Sequence, residues 1–268
     1  MKPGILFLAV FYFSQYTAFA QISSTDETRL LESYRKIAYW NDKYYKNSSE
    51  IGYYDSIRKA NNSFGKDLLK VTSTNTNSIY YNFRLLTSEG VNVVTSEDGQ
   101  FRIYTWDTQT GGTMHFFWNV FQFNNAGKIY SELINNSNSV EEPTSGSFYN
   151  HINDIHRDSS TYYITQRVSV LSSALFTYNI DFYTIKDSIL STDAYILKTK
   201  EGFSNNVGYE IDLNRDKSNQ QDMPDYKIHY DPSKKQISIP VILQSGAITN
   251  KRIIYQFNGR YFEKIDLK

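Results

Sequence analysis

Two periodicities divide this chain. Leu30, Leu31, Tyr34, Ile37, Ala38 and Tyr45 recur at the spacing of one helix face, and Ile57, Ala60, Phe64, Leu68 and Val71 do so again. Ser24 followed by Glu27 has the spacing of a capping box, and "KNSSEIG" between the two stripes is turn-forming. The pattern predicts a helical hairpin over residues 25–71, within an N-terminal segment of 21–75.

From about residue 79 the period becomes two. Strands are predicted at 90–95, 100–106, 113–123, 128–134, 161–169, 175–185, 188–198, 208–213, 226–230, 236–243, 252–257 and 261–265. The turns "SEDGQ", "NNAGK", "YDPSKK" and "FNGRY" join them, and Asn258-Gly259 suits the two positive φ angles of a type I′ hairpin turn. Pro240 inside a strand pattern indicates an edge, and residues 137–147 form the most loop-like insertion. Strands joined by short turns make an antiparallel meander. The expected fold is therefore α+β: an N-terminal helical hairpin packed on a largely antiparallel β-meander spanning 76–268. The meander could be laid out as a sandwich, a curled sheet or a partial propeller, and it is expected to fold as one unit with the helices.

The stretch "FRIYTWDTQTGGTMHFFWNVFQF", residues 101–123, carries the densest aromatics. On its first strand Phe101, Ile103 and Thr105 alternate with Arg102, Tyr104 and Trp106; on its second, Met114, Phe116, Trp118 and Val120 alternate with His115, Phe117, Phe121 and Phe123. Apolar residues on both faces predict strands covered from both sides. The functional alternative is a glycan or small-molecule surface made of Tyr104, Trp106, Asp107 and His115 beside the Gly111-Gly112 bend.

The first twenty residues read as a leader: Lys2 supplies a positive charge, Ile5 to Phe13 an apolar run, and Ala18-Phe19-Ala20 a cleavage signal before Gln21. The run is short of the roughly 20 apolar residues of a membrane span, so the expectation is export to the periplasm or beyond, with no membrane span. Cysteine is absent, which excludes disulfides, thiolate metal sites, a cysteine nucleophile and an acylated N-terminal cysteine. The net charge of zero and pI near 6.9 supply no basic stripe, which argues against a nucleic-acid partner. With 23 Tyr and 17 Phe against 3 Trp, the composition is that of an aromatic-rich globular protein.

Catalytic and metal motifs are weak. "DLNRDKSNQQD" places Asp212, Asn214 and Asp216 at alternate positions with Asp222 beyond, an oxygen spacing that suits calcium, the one cofactor the sequence suggests. Lys217 and Met223 stand where an EF-hand needs Gly and Glu, and the plainer reading is a solvated loop. "HINDIHRD" offers His151, Asp154, His156 and Asp158, but the histidine spacing matches neither a helix face nor a strand face. Ser56-x-x-Lys59 and Ser63-x-x-Lys66 echo a serine-acylation motif, yet Lys198-Thr199-Lys200 is not its K-T-G partner. Asp107, Glu132, Asp181 and Glu210 lie in or beside strands, where a glycosidase could place its acids.

The strings "DGQFRIYTWDTQTGGTM" and "IIYQFNGRYFEKI" resemble exported proteins of Gram-negative bacteria with no assigned activity, a likeness of layout over most of the mature chain. It implies no site residues. The expectation is an exported, non-catalytic binding or envelope-associated protein whose partner is a protein or glycan. The alternatives are a secreted glycan-directed hydrolase using strand-end carboxylates, and a periplasmic inhibitor or immunity-type protein.

Overall fold

The computed structural model describes residues 24–47, 52–134, 146–215 and 224–265. The leader, the tip of the helical connection, most of 137–147 and the candidate calcium residues Asp216 and Asp222 lie outside them. Helices α1 (Ser24–Lys46) and α2 (Tyr53–Thr74) form the predicted hairpin. A 3-10 turn (Thr76–Tyr80) and a short α3 (Arg84–Ser88), both unforeseen in the sequence pattern, lead into the sheets. Glu27 does more than a capping box asks of it. Its buried carboxylate accepts from Tyr81 Oη at 2.7 Å and from the Leu85 backbone N–H at 2.7 Å, so α1 holds the N-terminus of α3.

Three sheets follow, antiparallel throughout except at one ladder. The first is a meander of β1 (Asn92–Thr95), β2 (Phe101–Asp107), β3 (Phe117–Asn125) and β4 (Lys128–Ile134). The second pairs β5 (Phe148–Arg157), β6 (Ser160–Val170), β7 (Leu175–Lys186) and β11 (Asn206–Asp212), with β8 (Ile189–Ser191) on the far end of β7. The third joins β9 (Leu197–Lys198), β10 (Phe203–Ser204), β12 (His229–Asp231), β13 (Gln236–Ile242), β14 (Ile248–Phe257) and β15 (Phe262–Ile265); its β15–β9 ladder is parallel.

Turn chemistry explains the joints. Ala126 and Gly127 both have positive φ between paired Asn125 and Lys128, as do Asp187 and Ser188 between Lys186 and Ile189. These two hairpins carry the two-residue geometry that suits strand twist. The Asn258-Gly259 turn does not. Phe257 pairs with Phe262, only Gly259 of the loop has positive φ, and the Asn258 side chain accepts from the Arg260 and Tyr261 N–H groups. The predicted strand 188–198 is two strands in different sheets, since the chain crosses between layers there. Strand β5 escapes a period-two reading because a bulge at Asn150 shifts its register between Tyr149 and His151. Pro240 lies past the end of β12 and faces only β14, so it is a local edge.

The core runs in three layers. Ile57, Phe64 and Leu68 of α2 pack on Tyr104, Trp106 and Val120. The opposite face of the first sheet, with Phe101, Ile103, Phe121 and Phe123, packs on Tyr149, Ile152 and Tyr163 of the second. The second sheet's other face, with Ile164, Ile180 and Phe182, meets Leu197, Ile237, Phe257 and Phe262 of the third. The helices therefore share a core with the sheets, and β2 and β3 are covered on both sides.

Two outcomes test this packing. Trp106 Nε1 donates to the buried Asn61 Oδ1 at 3.0 Å. Trp106→Phe is therefore expected to lower unfolding stability by about 1–3 kcal/mol through the orphaned amide, and Trp106→Ala by about 3–5 kcal/mol, in urea denaturation. Glu27→Ala is expected to cost about 1–3 kcal/mol by leaving Tyr81 Oη and the α3 N–H groups without an acceptor, and Glu27→Gln less; equal losses in the two variants would contradict the capping role.

Candidate functional site

The bend between β2 and β3 turns its rings inward. Tyr104 is 0% and Trp106 1% exposed, held edge-to-face against Phe83 and Phe64. The Tyr104 hydroxyl donates to Gln122 Oε1 at 2.9 Å, and burial raises its pKa to about 12. At the surface of the bend, Asp107 Oδ2 lies 2.5 Å from His115 Nδ1, and the His115 ring stacks on Phe117. A Cβ on Gly111 would stand 1.9 Å from the Met114 carbonyl, so close backbone approach requires glycine there. Beside Gly112 there is open space. A guest at this bend would meet Asp107 and His115, and the faces of Tyr104 and Trp106 are out of its reach.

The histidine and aspartate motifs serve local structure. His151 and His156 are exposed on β5, whereas Asp154 points inward and accepts from the N–H groups of Glu97 (2.8 Å) and Asp98 (3.3 Å). Burial, then the nearby Asp98 carboxylate, raises the Asp154 pKa. Asp212 Oδ1 caps the Asn214 N–H at 3.0 Å and its Oδ2 faces Arg215 at 3.4 Å. Among the described residues no group of three or more His, Asp or Glu side chains converges as a metal site.

Two of the four strand-end carboxylates are engaged, whereas Glu132 and Glu210 stand exposed on β4 and β11. Asp181 takes a two-pronged ion pair from Arg167 at 2.5 and 3.2 Å, and Asp107 is paired with His115. A hollow of about 600 Å³ holds Asp98 and Asp193 among hydroxyl side chains, but Asp98 accepts from Ser96 Oγ at 2.6 Å and from Tyr163 Oη at 3.0 Å.

Exposed rings gather elsewhere. The turn after β5, the run into β9, strand β10 and the β14–β15 loop meet in an open cleft of about 410 Å³ lined by Arg157, Asp158, Tyr195, Phe203, Arg260 and Tyr261. Tyr195 and Phe203 are each 53% exposed. Phe203 meets Tyr261 edge-to-face at 5.2 Å, and the Lys198 ammonium lies over the Tyr261 ring at 5.4 Å. Arg157 covers the Tyr162 ring at 4.6 Å and donates to the Arg260 carbonyl at 3.3 Å. The lining carries two arginines against one aspartate. Large rings left in water beside guanidinium groups mark a binding surface more than a packing accident. Sequence reasoning missed this cleft because its residues come from four separate segments; the one local signal was "FNGRYF", with an arginine and three rings in six residues.

Comparison with protein-family models, with curated proteins and with solved structures gives no match. No helix among the described residues is long and apolar enough to cross a membrane.

The Asp154 environment sets a pH test. With its folded-state pKa raised, Asp154 holds its proton more tightly folded than unfolded, so the ionised form costs stability at neutral pH and the cost fades as pH falls toward the unfolded value near 3.9. Asp154→Asn keeps an oxygen acceptor for Glu97 and Asp98. It is expected to melt at or above the parent temperature at pH 7 and to lose that advantage near pH 4. A lower melting temperature at pH 7 would contradict the assignment.

Proposed function

We propose that this chain is an exported, non-catalytic, envelope-associated binding protein that engages an acidic glycan through the cleft of Tyr195, Phe203, Tyr261, Arg157 and Arg260. The observation that carries the reading is the pair of half-exposed rings standing beside two arginines. Aromatic faces pack against the C–H faces of sugars, and planar guanidinium groups donate in pairs to carboxylates. The cleft volume of about 410 Å³ falls within the range of roughly 300–1,000 Å³ typical of small-ligand sites, which favours a glycan over a broad protein surface. Export rests on the leader-like first twenty residues, and the likeness to exported proteins of Gram-negative bacteria belongs with the same reading. That Asp107, Asp181 and Asp98 are each committed to a local partner supports binding over hydrolysis.

A glycan array carrying uronate-containing and neutral oligosaccharides checks this. The mature protein is expected to bind acidic members preferentially. Phe203→Ala and Arg260→Ala should each weaken that binding about tenfold or more, with melting temperature nearly unchanged since both side chains reach solvent. No acidic hit, or hits that survive both substitutions, would sink the proposal; capture of an envelope protein at the same cleft would replace the glycan with a protein partner.

A further inference from the structure

A second cavity, independent of the cleft above, lies where the second sheet meets the start of the third. It encloses about 210 Å³ and is lined in part by Asn150, His151, Gln166, Tyr178, Lys227 and His229. Register explains the gathering. His151 on β5 pairs with Gln166 on β6, and Gln166 shares its face with Ile164, which packs toward the third sheet. The bulge at Asn150 brings an extra residue to the rim of the cavity. From the other side, Ile228 is buried in the core while its neighbours Lys227 and His229 flank the opening.

Gln166 is the unusual member. It is 7% exposed, yet its side-chain amide, which reaches solvent at the cavity, has no hydrogen-bond partner among the described residues, unlike the buried Gln122 and Asn119. Buried amides are nearly always paired, and one left without a partner inside a cavity is a group awaiting a ligand. None of the lining residues is acidic. Arg167 also borders the cavity, but its guanidinium is bound to Asp181 and Ser147. His229 is tethered to Asp225 at 2.7 Å. Among the described residues, Lys227 is left as the one permanent cation facing the opening without an ion-pair partner.

We infer that this cavity binds a small monovalent hydroxy-carboxylate. A single ammonium matches a single carboxylate charge, and with the Arg167 guanidinium committed to Asp181 and Ser147 no second free cation remains to balance a dianionic phosphate. The Gln166 amide supplies a donor for the carboxylate and an acceptor for a hydroxyl on the same guest. The volume, below the roughly 300 Å³ floor of drug-sized pockets, limits the guest to a small acid or one sugar-acid unit.

Calorimetric titration with D-galacturonate, L-lactate, D-galactose and inorganic phosphate tests the inference. At least one of the two hydroxy acids is expected to bind, with galactose and phosphate at least tenfold weaker. Gln166→Leu and Lys227→Met are each expected to weaken binding tenfold or more, while Arg260→Ala in the other cleft leaves it unchanged. Gln166→Leu should hold or raise the melting temperature, because it removes an unpaired buried amide, and this separates lost binding from lost folding. Failure of both acids to bind, binding unaffected by Gln166→Leu, or tighter binding of phosphate would overturn the inference. Lactate binding without galacturonate binding would identify a free small acid as the guest; the reverse would identify a sugar acid.

Discussion

The whole arrangement depends on how the ends of the helical layer are satisfied by the first sheet. A helix leaves its last carbonyls without partners, and the 3-10 turn after α2 adds more. Here side chains from β2 and β3 supply the donors. Gln122 Nε2 donates to the Thr72 carbonyl at 2.7 Å and to Ser78 Oγ at 2.6 Å, and Arg102 donates to the carbonyls of Ser78 at 2.9 Å and Tyr81 at 2.6 Å. Arg102 is buried with a hydroxyl and two carbonyls as its partners, so oriented carbonyl dipoles offset its charge in place of a carboxylate. Apolar packing alone would allow α2 to slide over flat rings. The polar contacts fix one position, because any other leaves buried groups unpaired.

With that layer fixed, the remaining layers follow. Period-two alternation forces Phe101, Ile103, Phe121 and Phe123 to the face opposite Tyr104 and Trp106, and that second apolar face must be covered in turn. The second sheet covers it and leaves its own apolar face for the third. Each sheet is thus both cover and surface to be covered, until the outer side of the third sheet, where Ser238, Arg252, Gln256 and Glu263 give a more polar pattern.

The helices, most strands and the two-sided burial of β2 and β3 were legible because they rest on local period, although the predicted strand 113–123 begins only at Phe117, past an exposed bend. What was illegible rests on contacts between distant segments. Glu27 reads as a capping-box member from spacing alone, and its pairing with Tyr81 and α3 needs the fold. Strand β5 was hidden by one extra residue, Asn150, which puts Ile152 out of phase with Tyr149. The Tyr104–Trp106 stretch drew attention as an aromatic surface because composition records rings without their direction. The exposed rings of the cleft, Tyr195 and Phe203, sit in segments with no aromatic density at all.

The same logic separates scaffold from site in this protein. Nearly every buried polar group is engaged: Asn119 with Thr105, Asn61 with Trp106, Asp181 with Arg167, Asp98 with Tyr163. Among the described residues Ser131 Oγ is the one buried side-chain atom without a partner, and in so consistent an interior the amide of Gln166, open to a cavity beside a lysine with no partner among the described residues, stands out by contrast. The exposed rings near Arg157 and Arg260 stand out for the opposite reason, as apolar surface left in water inside a cleft that also holds two guanidinium groups. Both departures fall at seams of the third sheet, where it meets the second and where its loops reach the turn after β5. These are the places where the layered packing ends and the backbone need not repeat, so side chains there can be set by a guest without disturbing the layers beneath.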